Sequence, residues 1–212
     1  MNLLESVEVR WFFAPSRPLV PALTQWFAAV PLEADDRLDH YYFDARRPDL
    51  NAKDRSAGSA GAKLEFKYRV GSLGPTYFAP GVQGELERWA KLSLTLAAGS
   101  NETIEAFRDS VSVKKQRRLR KFSYDAGSPF EVSIADRPTV GCGFELTCIE
   151  AVRGGQRIEA VTVGLESFGA PDSRLAALQA TARVVFAERP LLQLASEDSA
   201  SYSTWLIRSF AA

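Results

Sequence analysis

The chain has 212 residues, 46% hydrophobic and 25% charged, which suits a single domain with a sizeable core. Its 26 Lys and Arg balance 26 Asp and Glu, and that zero sum argues against a general nucleic-acid or membrane-surface binder. The single histidine, His40, excludes a zinc site with two histidines and leaves any Ser–His–Asp or Cys–His chemistry to one residue. The first ten residues hold no long apolar stretch, and no window reaches the roughly 18 apolar residues of a membrane span. Cys142 and Cys148 fall on one strand-like run, about 20 Å apart at 3.3 Å per residue, so they should not bridge each other. Few thiols and no disulfide framework make the cytoplasm the expected setting.

In chain order, the dominant period is two. Val7, Val9 and Trp11 alternate with Ser6, Glu8 and Arg10. A helix is expected over 18–29, with proline in its first turn. A short aromatic strand follows at 39–45, and 55–62, small and polar, reads as a mobile loop. Alternation returns at 63–70 and 85–94, with a short helix expected over 101–109. Further strands are expected at 111–123, 130–136, 142–152 and 157–168, the last two joined by a Gly154-Gly155 hairpin signal. An Ala- and Leu-rich helix over 171–188 stops before Pro190, and an amphipathic stretch covers 201–210. The sum is about eight antiparallel strands with peripheral helices, a mainly β (α+β) chain.

Several strands carry charge on one face and bulky apolar groups on the other. A half-wet sheet would show this pattern. So would a closed or nearly closed eight-stranded barrel with charge inside and helices over its apolar exterior. The run 111–123 bears on the choice. Lys114, Gln116, Arg118 and Arg120 share one face; Lys115, Arg117, Leu119 and Lys121 share the other. Neither face suits an apolar core, because a buried unpaired charge costs several kcal/mol. Water outside and a polyanion-binding lumen inside would satisfy both faces. A protected edge strand or a nucleic-acid patch would do so too.

Short matches along most of the chain resemble the CYTH-type triphosphate tunnel family, which includes thiamine triphosphatases, inorganic triphosphatases and class IV adenylyl cyclases. Ser6-Val-Glu8-Val-Arg10 resembles its Glu-x-Glu-x-Lys opening, and Arg37-Leu-Asp39-His-Tyr41-Tyr42 its second strand. Lys63-Leu-Glu65-Phe-Lys67-Tyr-Arg69 and Val113-Lys-Lys115-Gln-Arg117 are similar to its basic strands. Phe144-Glu145-Leu-Thr147 and Gly164-Leu-Glu166-Ser resemble its late acidic strands, and Ser201-Tyr202-Ser-Thr-Trp-Leu206 its ending.

The resemblance implies an eight-stranded tunnel that binds tripolyphosphate, a nucleoside or thiamine triphosphate, or a similar polyanion. It implies hydrolysis with Mg²⁺ or Mn²⁺, and neither a membrane nor a nucleic acid is an expected partner. The implied phosphate-binding residues are Arg10, Lys67, Arg69, Lys115 and Arg117, and Lys91 joins them on strand parity. The implied metal ligands are Glu8, Glu145 and Glu166, with Glu8 and Glu166 carrying the catalytic role. Glu65 and Glu87 are further lumen acids. Two departures stand out: Ser6 replaces the first glutamate, and Phe168 replaces the last. Their loss leaves a non-catalytic binding module as an alternative. A barrel that carries an apolar ligand is a third reading, and it requires Leu64, Phe66 and Tyr68 to face inward.

Overall fold

The first strand shows how the alternation becomes a wall. In a computed structural model, which describes residues 2–32, 37–42, 44–55, 63–95, 110–189 and 191–211, β1 runs Asn2–Phe13. Val7, Val9, Trp11 and Phe13 pack outward into an apolar core, while Glu8 and Arg10 line the interior. The other strands are β2 (Arg37–Tyr41), β3 (Leu50–Arg55), β4 (Lys63–Ala79), β5 (Val82–Thr95), β6 (Val111–Asp125), β7 (Ser128–Val132), β8 (Gly141–Arg153) and β9 (Gln156–Phe168). They pair in the order β2-β3-β4-β5-β1-β9-β8-β6, and β6 pairs back onto β2. Eight antiparallel strands therefore close a barrel, and β7 is an extra hairpin strand on β6.

The number of barrel strands meets the expectation, but the membership differs. The expected strand at 130–136 is β7, outside the ring, and 50–55 supplies the missing wall strand. β6 is no edge: β2 and β8 flank it, so the protected-edge reading fails. Of the loop expected at 55–62, Arg55 instead ends β3; its residues 56–62 and the expected helix at 101–109 lie outside the described residues.

Three helices are described: α1 (Val20–Trp26), α2 (Pro171–Ala187) and α3 (Tyr202–Phe210). Proline opens α1 and α2, where its missing N–H has no partner to lose. α1 and α2 cover the outer wall. Leu23, Phe27, Leu178 and Phe186 pack there with Trp11 and Phe144. The small residues Ala177, Ala180 and Ala182 of α2 are buried, which lets that helix lie close to the wall. Arg120 clamps the edge of this layer, with forked bonds of 2.8–3.0 Å to Glu131 of β7 and Glu188.

α3 does something different. Ser201 caps its first turn, accepting a bond from the Thr204 N–H. Its Leu206 and Phe210 pack on Phe12, Val111, Val113, Ile149 and Ala151, which face into the barrel. Trp205 stacks on Phe12 at 4.9 Å. The helix thus stoppers one end of the tunnel. Cys142 and Cys148 both lie on β8 and are unbridged. Among the described residues, no helix is long and apolar enough to cross a membrane.

Candidate functional site

The inward positions of the strands meet around a cavity of about 300 Å³. β1 supplies Glu8 and Arg10, β4 supplies Glu65 and Lys67, and β5 supplies Lys91. β6 adds Lys115 and Arg117, β8 adds Glu145 and Thr147, and β9 adds Glu166. Eight of the nine residues expected in the site are therefore together. The ninth, Arg69, is not among the lining residues. It bonds Glu87 at 2.7 Å, beside a register shift in β4 between Arg69 and Gly71.

The apolar-carrier reading is overturned by the same geometry. Leu64, Phe66 and Tyr68 alternate with the lining residues Glu65 and Lys67, and Tyr68 is 49% exposed on the outer wall. Two polar environments for β6 are confirmed: Lys115 and Arg117 line the lumen, and Lys114 and Gln116 are exposed outside.

Six lining residues lie beyond those expected: Tyr41 of β2, Asn51, Lys53 and Arg55 of β3, Thr147 of β8, and Tyr202 of α3. Lys53 and Lys115 both donate to Asp39, at 3.1 and 2.8 Å. Burial disfavours the Asp39 charge, but Lys115 and Lys53 outweigh it and hold the carboxyl below its usual range. Lys115 also donates to the Tyr41 hydroxyl. Its ammonium lies 4.2 Å from the Tyr202 ring centre and 4.6 Å from that of Tyr41. These two rings form an aromatic floor between the charged cavity and the apolar stopper.

Arg10 shows why one glycine is needed. Its cross-strand partner is Gly164, which is itself the partner of Glu145 on the next strand. A Cβ on Gly164 would lie 3.0 Å from the Arg10 guanidinium carbon. Without that carbon, Arg10 passes over β9 and bonds Glu145 at 2.6 Å. Arg117 bonds the other Glu145 oxygen at 3.0 Å. Burial opposes the Glu145 charge, yet Arg10 and Arg117 hold its pKa at about 2.

Glu8 and Glu166 are direct cross-strand partners. Lys67 donates to Glu8, as does the Ser6 hydroxyl, and its ammonium lies 3.7 Å from Glu166. Burial, reinforced by the charge of Glu166, pushes the Glu8 carboxyl above its usual range. Lys67 draws Glu166 below its own. Trp89 is buried at the side of this group, donating to Glu87, with Lys67 5.8 Å from its ring centre. His40 is elsewhere: adjacent in sequence to the inward Asp39 and Tyr41, it points outward and meets Ser112 at 3.2 Å.

No family model matches this chain, and no curated protein matches it. Several solved structures align with it. One is a candidate adenylate cyclase from Bacillus halodurans, 13% identical, with all of both chains covered and a TM-score of 0.40. Another is the S. pombe RNA triphosphatase Pct1 in complex with the Spt5 CTD, 11% identical, covering 90% of this chain and 79% of that one, with a TM-score of 0.39.

Mg²⁺ and Mn²⁺ prefer about six oxygens, several of them water or substrate oxygens. Glu145 is taken by two arginines, and Glu8 and Glu166 share an ammonium. Among the described residues, no group of three or more His, Cys, Asp or Glu could hold a metal ion. As arranged, the residues do not fit the ion that the resemblance implies.

Proposed function

We propose that the barrel is a single-domain, cytoplasmic, divergent member of the CYTH-type group. Its lumen binds a triphosphate-containing or other polyanionic small molecule. The observation that carries this reading is the charge of the cavity wall: seven Lys and Arg side chains against four carboxylates. Lys91 sharpens it. Among the described residues, this lumen lysine has no carboxylate within ion-pair distance. An excess of cations in a part-buried chamber walled by the barrel favours an anion with several charges. Ammonium and guanidinium groups suit phosphate oxygens in particular.

The test is calorimetric titration with tripolyphosphate, thiamine triphosphate and ATP at low and high salt. Binding is expected, weakened by salt and by Arg117→Ala. No heat for any of the three, with Arg117→Ala and Lys91→Ala changing nothing, overturns the reading. Hydrolysis, the finer expectation, is read from phosphate release in the same samples with Mg²⁺ and with Mn²⁺. Turnover lost in Glu8→Ala would support catalysis, and tight binding without turnover would leave a binding module.

A further inference from the structure

Glu8 and Glu166 face each other across β1 and β9, and two carboxylates so placed repel unless a cation lies between them. The seat is already taken. Lys67 reaches in from β4, bonded to Glu8 and 3.7 Å from Glu166. The Trp89 ring lies on its flank, 5.8 Å from the ammonium. Glu87, the partner of Glu8 on β5, is itself held by Arg69 at 2.7 Å and by the Trp89 N–H, and the next inward positions along β1 and β9 add no further negative charge. Ser6 offers a hydroxyl, which it donates to Glu8, and Phe168 offers no oxygen at all. The other lumen carboxylates are satisfied from within the wall too. Glu145 sits between Arg10 and Arg117, and Glu65 between Lys53 at 3.2 Å and Arg55 at 3.6 Å.

We propose that Lys67 is the resident cation of this lumen, and that the site holds its polyanion without a divalent metal. The inference rests on the polyanion reading given above. An ammonium has three donors, so Lys67 can keep Glu8 and still offer a bond to a phosphate oxygen. A hard divalent ion entering the same seat would have to displace that ammonium and shed water, which Mg²⁺ does reluctantly.

Two titrations decide it. Mn²⁺ is titrated into the free protein, with bound ion followed by electron paramagnetic resonance. Tripolyphosphate is titrated in EDTA and again in Mg²⁺. The wild-type protein is expected to bind Mn²⁺ no tighter than about 1 mM. It should bind tripolyphosphate in EDTA, and Mg²⁺ should leave that affinity unchanged or lower it, because Mg²⁺ also complexes the free ligand. Lys67→Gln vacates the seat. It is expected to lose about tenfold or more in tripolyphosphate affinity in EDTA, to gain Mn²⁺ binding, and to recover ligand affinity when Mn²⁺ is present. Lys67→Arg should retain metal-free binding, and this variant with the wild-type titrations suffices if Lys67→Gln does not fold. Tight Mn²⁺ binding by the wild type overturns the proposal, as does tripolyphosphate binding that appears only with metal. In that second case the polyanion reading survives. Binding in neither condition overturns both.

Discussion

The same inward faces of the same strands build two unlike regions. Along β1, Glu8 and Arg10 line the cavity, and Phe12, two residues further on, packs under α3. Along β6, Arg117 and Lys115 give way to Val113 and Val111. Along β8, Glu145 and Thr147 give way to Ile149 and Ala151. Strand parity decides which side chains point inward. Position along the tunnel axis decides what they meet there: a charged, solvated chamber or a dry helix. The boundary is the pair of rings Tyr41 and Tyr202, stacked 5.9 Å apart, with cations on one side and apolar groups on the other.

The largest expected effect breaks the charged region at that boundary. Lys115→Met leaves Asp39, fully buried with one oxygen already unpartnered, with Lys53 as its remaining described ammonium partner. Removing one partner of a buried ion pair costs about 3–5 kcal/mol, and with Lys53 still in place a drop in the urea midpoint toward the lower end of that range is expected. The stopper comes next. Phe12→Ala removes the ring between Trp205 and Tyr202 and should cost about 3 kcal/mol. Its loss should show in thermal unfolding, while Lys91, in the charged region, keeps its place.

Acid should separate the two regions without mutation. Glu145 is held at about 2 by Arg10 and Arg117, below the ordinary carboxylate value of about 4.3. The unfolded chain therefore binds the proton more readily. The stabilisation is fully present above about pH 4.3 and fades as pH falls toward about 2, and Asp39 acts with the same sign. A loss of up to about 3 kcal/mol across that window is expected in denaturant titrations at stepped pH. Glu145→Gln should flatten the slope, and Phe12→Ala should leave it unchanged.

The smallest effects fall on ligand affinity. Gly164→Ala crowds the Arg10 guanidinium and the Val9 carbonyl, each 3.0 Å from the new carbon. It should weaken the Arg10–Glu145 bond and tripolyphosphate affinity together. Lys91→Ala should lower that affinity about tenfold, about 1.4 kcal/mol, with folding stability changed by less than about 0.5 kcal/mol.

The charged region was the more readable of the two. Lumen residues sit where the period of two is strict, as in Lys63 to Arg69 and Ser6 to Arg10. β3 escaped notice because Leu-Asn-Ala-Lys-Asp-Arg holds no β-branched or aromatic residue and has polar groups on both faces. Its strand form comes from pairing with β2 and β4, a tertiary effect. Arg69 has the right parity, but the bulge after it ends the even alternation. Glu145 could be placed in the lumen but not paired. Its partners lie on β1 and β6, and one of them passes over a third strand by way of Gly164. Tyr202 stands on a helix, and no strand periodicity could bring it to the floor of a barrel.

The α3 stopper makes the chamber blind on that side. On the polyanion reading proposed above, a short anion would fit whole, whereas a long polyphosphate chain could not thread through and would offer only its tip. Occupancy should then count chain ends rather than phosphate residues. Two polymers of different length, matched for total phosphorus, would saturate the protein at different points, with the shorter one capturing more of it.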